Sequence, residues 1–378
     1  MAEWAKEQDF EEILQKADII FGGEGNTDYF QLYHPKLYAV RNSATEHLVI
    51  RDEDGIQGFL GVFPAEMDIC GRKIKVDGFG TMGVMKSARG KGYMKDLMDT
   101  AVNASKERAD IAFLGGRRQR YEYFGFTPSG ITPSFSFNRD NAKHCLKGAD
   151  TSIYTFDEAK TAEEAKFFAE LYNRRPARVI RTEESFLTTL KSCRSVAISI
   201  RKNGKLFGYA AVNGEGRSIN EIEVLNIEEL PAVLSSYINT YDFRGVSIGG
   251  VFLFDKEKLK VLDSVCEGMT LPCCESFLIH DYVKLLDALF ALKATYTKLY
   301  PCKAVLNIEG YCKVAIETQE DSFKVYETDA SADANLKPLE ATRVLFGNSA
   351  CIGIRDDLLQ GLKANLPLPL FYSRPDFV

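Results

Sequence analysis

A basic, glycine-rich turn, Arg89-Gly90-Lys91-Gly92, separates two segments of different periodicity. The residues before it, Ile74 to Met85, have the composition of a strand. After it, apolar side chains recur with the spacing of one helix face, at Met94, Leu97, Met98, Ala101 and Val102. A glycine turn at a helix N-terminus brings backbone N–H groups and the positive end of the helix dipole to one anion. The segment predicts a pyrophosphate site, with a solvated surface turn as the alternative.

Two common nucleotide-binding loops are missing from this turn. Residues 86–94 contain neither G-x-G-x-x-G nor G-x-x-x-x-G-K-[ST], which disfavours a turn that binds NAD or a Walker-type ATP site. The 53 acidic and 47 basic side chains give a net charge of −6. This charge argues against general electrostatic binding to nucleic acid or anionic lipid.

The cysteines and the chain's apolar runs indicate a cellular compartment. Nine cysteines occur without a C-x-x-C pair, which predicts reduced thiols rather than disulfides or a zinc site. The N-terminus lacks the basic-then-apolar run of a signal peptide. No apolar stretch reaches the roughly 20 residues needed to cross a bilayer. We therefore expect a cytoplasmic protein with no membrane and no nucleic-acid partner.

Two similar hairpins suggest an internal repeat. Leu48 to Pro64 has the pattern of a hairpin that turns at Asp54-Gly55, and Val196 to Val212 has the same pattern around Asn203-Gly204. Only the first hairpin is followed by a basic glycine turn. Chance agreement and duplication both remain open, and under duplication the second copy is scaffold.

The last hundred residues differ from both hairpin regions. Asp281 is placed to cap a helix through Phe290, and strand-like runs follow at Cys312–Glu317 and Phe323–Tyr326. A helix is predicted near Leu339 to Phe346. The apolar, proline-rich segment from Leu366 to Tyr372 is incompatible with regular helix, and we expect it to dock on the protein.

The strand, the basic turn, the helix and the later run Tyr121-Glu122-Tyr123-Phe124-Gly125-Phe126 together resemble the GNAT acetyltransferases. That family has an Arg/Gln-x-x-Gly-x-Gly/Ala turn on the acyl-CoA pyrophosphate. Arg89 to Met94 matches this turn except at its last position, where Met94 replaces glycine or alanine.

The chain length, the paired hairpins and the apolar C-terminal region are similar to the Eis (enhanced intracellular survival) branch of this family. The resemblance implies a mixed α/β (α+β) fold of tandem GNAT domains with mixed central sheets, followed by a sterol-carrier-protein-like α+β domain. The implied boundaries are a catalytic GNAT domain at 1–148, a degenerate second GNAT-like domain at 149–279 and the sterol-carrier-like domain at 280–378.

The resemblance also implies roles for individual residues. Tyr121 would donate a proton to the departing thiolate, with Tyr123 as the nearest competitor. Backbone N–H groups of residues 82–84 would stabilise the negative charge that develops on the thioester oxygen. The implied acyl-CoA contacts are Met82, Gly83, Val84, Arg89, Gly90, Lys91, Gly92, Tyr93, Met94, Lys95, Gly116 and Arg117.

The general base is implied to be a main-chain group. In the Eis branch the C-terminal carboxylate accepts the amine proton, and in this sequence that group belongs to Val378, although the branch usually ends on an aromatic residue. The alternative is a nearby Asp or Glu side chain with the tail only filling a groove. The four histidines, His34, His47, His144 and His280, lie outside the motifs, and we expect them to be structural or exposed.

Arg117, Arg118 and Arg120 form a basic cluster before Tyr121. It is compatible with surface salt bridges or with phosphate binding on CoA. If its charges faced the acceptor, they would repel polycationic aminoglycosides, so the resemblance does not carry that substrate over.

The sequence thus predicts an acetyl-CoA-dependent N-acetyltransferase that needs no metal. It would act directly on a primary amine of a small molecule or a lysine side chain, and the family resemblance implies a homo-oligomer, specifically a hexamer. The alternatives are a lipid- or ligand-binding protein with a vestigial GNAT domain, and an acyltransferase for a longer acyl-CoA.

Overall fold

The computed structural model describes residues 1–23, 28–348 and 358–378. Contacts divide the chain into two compact units. The first consists of Met1–Gly130, Glu275–Leu370 and Val378, and the second of Ile131–Cys274 and Phe371–Phe377. Both are mixtures of helices and mixed sheets, which confirms the predicted fold class. The three predicted domain boundaries stay a prediction.

The strands in chain order are β1 (Glu3–Trp4), β2 (His47–Asp52), β3 (Gly55–Ile69), β4 (Arg72–Val84), β5 (Ile111–Leu114), β6 (Thr127–Ile131), β7 (Ser134–Asn138), β8 (Tyr154–Glu158), β9 (Ala177–Val179), β10 (Ser195–Lys202), β11 (Lys205–Asn213), β12 (Ser218–Val224), β13 (Gly245–Ile248), β14 (Gly268–Thr270), β15 (Cys273–Ile279), β16 (Cys302–Ile308), β17 (Cys312–Gln319), β18 (Ser322–Glu327) and β19 (Ala334–Leu336). The helices are α1 (Phe10–Ala17), α2 (Tyr29–Tyr33), α3 (Pro35–Tyr38), α4 (Tyr93–Arg108), α5 (Arg118–Tyr121), α6 (Arg139–Cys145), α7 (Ala162–Tyr172), α8 (Glu183–Leu190), α9 (Leu230–Thr240), α10 (Lys256–Asp263), α11 (Tyr282–Ala294), α12 (Pro338–Phe346) and α13 (Gln360–Ala364).

The main sheet of the first unit has the strand order β1-β2-β3-β4-β5-β15-β6. Strands β2, β3 and β4 are consecutive and antiparallel, as the turn signals predict. Strand β4 then runs parallel to β5, but only over Val76–Phe79 against Ile111–Leu114. Beyond Phe79, β4 continues to Val84 without β5 beside it. This divergence opens a cleft in front of α4.

The second unit repeats the pattern. Its sheet has the order β14-β7-β13-β12-β11-β10-β8, with the predicted hairpin as β10 and β11. Strand β12 pairs in parallel with β13 only at Ser218 and Ile219. Both units therefore combine a hairpin, a third antiparallel strand and a briefly paired parallel strand, as a tandem arrangement requires.

Each sheet is completed by a strand from elsewhere in the chain. Strand β15, which joins β5 of the first unit, comes at the end of the long Ile131–Cys274 segment of the second unit. Conversely, β7, which pairs with β13 and β14, comes directly after β6. Sequence periodicity cannot reveal such an exchange, because each strand has the same pattern in either sheet.

In the second unit, the chain's own tail fills the place where β12 runs on past β13. Arg181 bonds to both oxygens of Glu221 at 2.8 Å, and to the carboxylate of Asp376 at 2.7 and 2.9 Å. The hydroxyl of Ser373 donates to Glu221 at 2.7 Å. This buried ion-pair cluster occupies the position that corresponds, by strand order, to the open cleft of the first unit.

The remainder of the first unit matches most of the predictions for the C-terminal region. A sheet of order β18-β17-β16-β19 packs with α11, whose N-cap is Asp281 through a side-chain bond to the N–H of Lys284 at 2.9 Å. In the segment predicted to dock, Leu368, Leu370, Phe371 and Tyr372 are buried.

Eight of the nine cysteines lie in the described ranges, where no disulfide joins two of them; the ninth, Cys351, lies outside the described residues. In the described ranges, no helix combines the length and the apolar character that a membrane crossing requires.

Candidate active site

A bulge shapes β4 where the cleft opens. Phe59 pairs with Gly83 and Gly61 with Gly80, so that Leu60 alone faces Thr81 and Met82. Thr81 adopts a positive φ of 52°, and a bulge of this kind takes backbone groups out of the strand ladder. Backbone N–H groups at the cleft are thereby available to a ligand.

A buried hydrogen-bond chain fixes the bulge. The hydroxyl of Tyr38 lies 2.7 Å from the hydroxyl of Thr81 and 3.0 Å from Nε2 of His47. The other ring nitrogen of His47 is 2.8 Å from the carbonyl oxygen of Ser43. Burial lowers the pKa of His47 to about 4, so the imidazole is neutral at pH 7.

The cleft contains a cavity of ≈ 880 Å³, called here the cofactor cavity. Nine of the predicted acyl-CoA contacts line it, namely Met82, Gly83, Val84, Arg89, Gly90, Gly92, Tyr93, Met94 and Lys95. Gly90 and Gly92 have φ values of +83° and +80°, and added Cβ atoms would meet nothing within 4 Å. The two glycines and the start of the 16-residue helix α4 thus form an open cradle suited to a pyrophosphate.

Three predicted contacts do not line this cavity. The ammonium group of Lys91 lies 3.8 Å from a carboxylate oxygen of Asp52. Gly116 instead makes room for Tyr121, because a Cβ at Gly116 would lie 2.4 Å from the tyrosine ring. Arg117 directly precedes α5 and is exposed.

Other residues of the cofactor cavity are not among the twelve implied acyl-CoA contacts, although phosphate binding on CoA was one of the two roles open for the basic cluster. Of the basic cluster, Arg120 lines this cavity, together with Tyr123, Phe124 and, from the N-terminal segment, Ile20 and Phe21. The first three are neighbours of Tyr121 in sequence, which is a signal that could have found them. Ile20 and Phe21 carry no motif, and only the fold brings them to the cleft.

A smaller cavity of ≈ 290 Å³, the inner cavity, shares Phe21 and Met82 with the cofactor cavity. Tyr121 and Val378, the two residues predicted to be catalytic, both line it. They are 257 positions apart in sequence, as their residue numbers show.

Val378 lies against two glycines of β4, its carboxyl group against Gly80 and its side chain against Gly78. A Cβ added to Gly80 would come within 2.5 Å of the carboxyl carbon and 2.7 Å of its oxygen. A Cβ on Gly78 would come within 2.6 Å of the Val378 side chain. Glycine at both positions therefore lets Val378 reach the backbone of the strand.

Tyr121 and its competitor Tyr123 differ in environment. Tyr121 is 9% exposed, and burial raises its pKa, although the charge of Arg120 and a hydrogen bond from it act in the opposite direction. Tyr123 is 70% exposed and lines the cofactor cavity but not the inner one. A buried phenol that keeps its proton above pH 10 is suited to donating it.

The histidines were expected to be structural or exposed. His144 is exposed, His47 belongs to the buried chain described above, and burial lowers the pKa of His280 to about 4. His34 is 3% exposed, and it also lines the inner cavity. Its involvement could not be predicted, because it lies far from the motifs in sequence.

The possible bases near the inner cavity are few in the described ranges. Its lining includes no Asp or Glu side chain, and Val378 contributes the carboxyl group. Glu275 lies just behind the wall, with a carboxylate oxygen 3.3 Å from where a Cβ of Gly115 would be.

One motif in β4 has no place in the sequence prediction. Gly78-Phe79-Gly80-Thr81-Met82-Gly83 matches G-x-G-x-x-G, but it lies inside a strand rather than between a strand and a helix. It therefore lacks the context of a dinucleotide-binding turn. Its glycines instead admit neighbouring groups: Val378 at Gly78 and Gly80, and the Phe59 ring at Gly83.

Comparisons with known proteins concern one domain of the chain and its overall fold. A family model described as an acetyltransferase (GNAT) domain matches residues 3–129. No curated protein sequence matches the chain.

Several solved structures share the fold. A GCN5-related N-acetyltransferase from Anabaena variabilis has a TM-score of 0.68 at 15% identity, covering 100% of both chains. A probable N-acyltransferase from Enterococcus faecalis has a TM-score of 0.68 at 12% identity, over 98% of this chain and 96% of that one. Eis1 from Mycobacterium abscessus has a TM-score of 0.65 at 14% identity, over 100% of this chain and 98% of that one.

A GNAT fold implies an acyl-CoA cosubstrate, and the open cradle of Gly90 and Gly92 fits one. The chain thus contains a GNAT acetyltransferase domain at residues 3–129, and its overall fold is similar to that of Eis1.

Proposed function

We propose that this protein is an acetyl-CoA-dependent N-acetyltransferase that transfers the acetyl group directly to a primary amine of a small molecule or a lysine side chain. The observation that carries the proposal is the common position of Tyr121 and Val378. Both line the inner cavity, which adjoins the cofactor cavity at Phe21 and Met82.

The cofactor cavity has the groups that an acyl-CoA requires. Backbone N–H groups at Gly90 to Lys95 and the start of α4 would hold the pyrophosphate, with Arg89 adding positive charge. When bound, acetyl-CoA supplies an activated thioester carbonyl. Backbone N–H groups of residues 82–84 would stabilise the negative charge on its oxygen.

Two protons must move as the carbon–nitrogen bond forms and the carbon–sulfur bond breaks. The terminal carboxylate of Val378 would accept the proton that leaves the amine nitrogen. The Tyr121 hydroxyl would give its proton to the departing thiolate sulfur. Tyr121 would then regain a proton from solvent, while Val378 would release the amine proton to solvent and return to the carboxylate. Since burial raises the pKa of Tyr121, the phenol is protonated at neutral pH.

The size of the inner cavity supports acetyl rather than a long acyl group. Its ≈ 290 Å³ lies at the lower end of the range for small-molecule pockets. A long acyl chain and an amine acceptor would compete for that space.

Two further properties follow from the family resemblance and the sequence: a homo-hexamer, which light scattering would measure, and a cytoplasmic location.

The test is a direct assay of acetyl transfer. The full-length protein is incubated with acetyl-CoA and a panel of amines, and products are identified by mass spectrometry. We expect an acetylated amine and equimolar free CoA, together with a rise in Tm at saturating acetyl-CoA. A protein that acetylates no amine and is not stabilised by acetyl-CoA would refute the proposal and favour a ligand-binding role. Transfer from longer acyl-CoA only would refute the acetyl preference.

A further inference from the structure

The inner cavity has one wall made of aromatic rings. Phe21, Tyr29, Phe30, Tyr33 and His34 form this aromatic wall, which lines the cavity together with residues of β4 and Val378. All five come from the segment before β2, which has no part in the motifs that point to acetyl transfer.

The rings support one another in a fixed arrangement. Tyr29 and Tyr33 stack with centroids 5.6 Å apart and planes 7° from parallel. Phe21 meets Phe30 edge-on at 5.2 Å, and Tyr33 meets His34 edge-on at 4.6 Å. Contacts of these kinds stabilise aromatic pairs beyond simple burial. A packed wall of rings is a preformed surface for a flat apolar group.

The cavity is also poor in charge. Among the described residues that line it, none has an Asp, Glu, Lys or Arg side chain, and its formal charge is that of the Val378 carboxyl group. Asp18, on the same N-terminal segment, accepts the N–H of Phe30 at 3.1 Å. Burial raises the pKa of Asp18, and Asp18 does not line the inner cavity. Arg120, the member of the basic cluster nearest to Tyr121 in sequence, lines the cofactor cavity.

A polycation is poorly matched to such a site. Each ammonium group removed from water needs a compensating charge or hydrogen bonds, and the lining offers one carboxylate. That carboxylate is committed to the reacting nitrogen under the proposed function. An aromatic wall, in contrast, favours a ring through stacking.

We infer that the acceptor is a small monoamine with an aromatic body, such as an arylalkylamine, whose ring packs on the aromatic wall while its nitrogen faces Val378. This inference rests on the proposed function and narrows its substrate. A polyamine, an aminoglycoside and a lysine-bearing peptide are the competing acceptors.

The test compares kcat/KM at fixed saturating acetyl-CoA for phenethylamine, spermidine, kanamycin and a lysine-bearing peptide. Phenethylamine is expected to exceed each of the others at least tenfold. A higher kcat/KM for spermidine, kanamycin or the peptide would overturn the inference while leaving the N-acetyltransferase function intact. If the protein acetylates none of these four acceptors and no other amine, the proposed function itself is refuted.

Variants of the wall make the test specific. Tyr33→Leu keeps an apolar side chain but removes the ring, and should lower kcat/KM for phenethylamine about three- to tenfold, as expected for one aromatic contact. Its KM for acetyl-CoA should not change. Tyr33→Glu adds an anion and should raise the kcat/KM ratio of spermidine to phenethylamine. Tyr300→Leu, at a tyrosine that is 54% exposed and does not line the cavity, is the control. If neither Tyr33 variant changes the ratio, the aromatic wall does not select the acceptor.

Discussion

The substitution Gly80→Ala tests whether the position of the Val378 carboxylate matters for turnover. The added Cβ would lie 2.5 Å from the carboxyl carbon of Val378 and 2.7 Å from its oxygen. Ordinary contact begins near 3.4 Å, so the carboxyl group must move by about 0.9 Å. Gly80 does not have a positive φ, so alanine brings no backbone strain.

A displacement of about 1 Å at a reacting group costs on the order of 100-fold in rate. We therefore expect kcat to fall about 100-fold, or roughly 2.7 kcal/mol in the barrier. Acetyl-CoA affinity should hold, because Gly80 does not line the cofactor cavity.

The assay measures kcat with an alkylamine and with phenylhydrazine, alongside acetyl-CoA affinity by calorimetry. The phenylhydrazine nitrogen is largely neutral at pH 7, because the aryl group makes it much less basic than an alkylamine, so the loss should be smaller for it. Gly249→Ala is the matched control, because its Cβ would meet only one backbone oxygen, at 3.6 Å. Unchanged turnover in Gly80→Ala would refute the role of Val378, and Glu275 would then be the first alternative base to test.

Three other predictions concern the cradle, the proton donor and the second unit. Gly90→Ala puts a Cβ on a residue with φ of +83° and should raise the KM for acetyl-CoA about tenfold, since left-handed backbone costs a non-glycine residue roughly 1–2 kcal/mol. The control is Gly71→Ala, at a glycine with the same φ in the β3–β4 turn, which should leave the KM for acetyl-CoA unchanged. Equal effects of the two substitutions on KM would assign the change to stability alone. Burial raises the pKa of Tyr121, so its hydroxyl loses its proton only as pH rises through that elevated pKa. The decrease in kcat at alkaline pH should therefore lie above pH 10. A decrease in kcat between pH 7 and 9 that disappears in Tyr121→Phe would contradict this. Glu221→Gln should lower the free energy of unfolding by about 3 kcal/mol, because it leaves Arg181 incompletely paired in a buried cluster. Although burial opposes it, Arg181 and Arg175 hold the pKa of Glu221 well below its usual range. This stability is present above the unfolded pKa near 4.3 and is lost as pH falls below it. Denaturant titrations at pH 7 and pH 3 measure this free energy of unfolding, with the substitution of the exposed Glu158 by Gln as the control. If the free energies of unfolding of Glu221→Gln and wild type differ by the same amount at both pH values, the ion pair is not the cause.

Local features of the fold were predictable because they depend on neighbouring residues. Asp54-Gly55 and Asn203-Gly204 turn hairpins where the sequence indicates, and the apolar spacing after Gly92 produces α4.

The parts that could not be predicted depend on contacts between distant segments. Strand β15 pairs with β5, which ends more than 150 residues earlier in the chain, and a strand's pattern does not specify its partner. His34 and Phe21 reach the inner cavity only because the segment before β2 folds over β4. The basic cluster divides in the same way, with Arg120 in the cofactor cavity and Arg118 paired with Glu122.

The most direct test of the account is the pair Tyr121→Phe and Tyr123→Phe. Both substitutions remove one hydroxyl group. Tyr121 lines the inner cavity, whereas Tyr123 lines the cofactor cavity and not the inner cavity. We predict that Tyr121→Phe lowers kcat by 10²- to 10⁴-fold, the usual contribution of a general acid, with acetyl-CoA affinity unchanged, while Tyr123→Phe stays within about twofold of wild type. Full turnover in Tyr121→Phe, or a larger loss in Tyr123→Phe, would contradict the assignment of the proton to Tyr121.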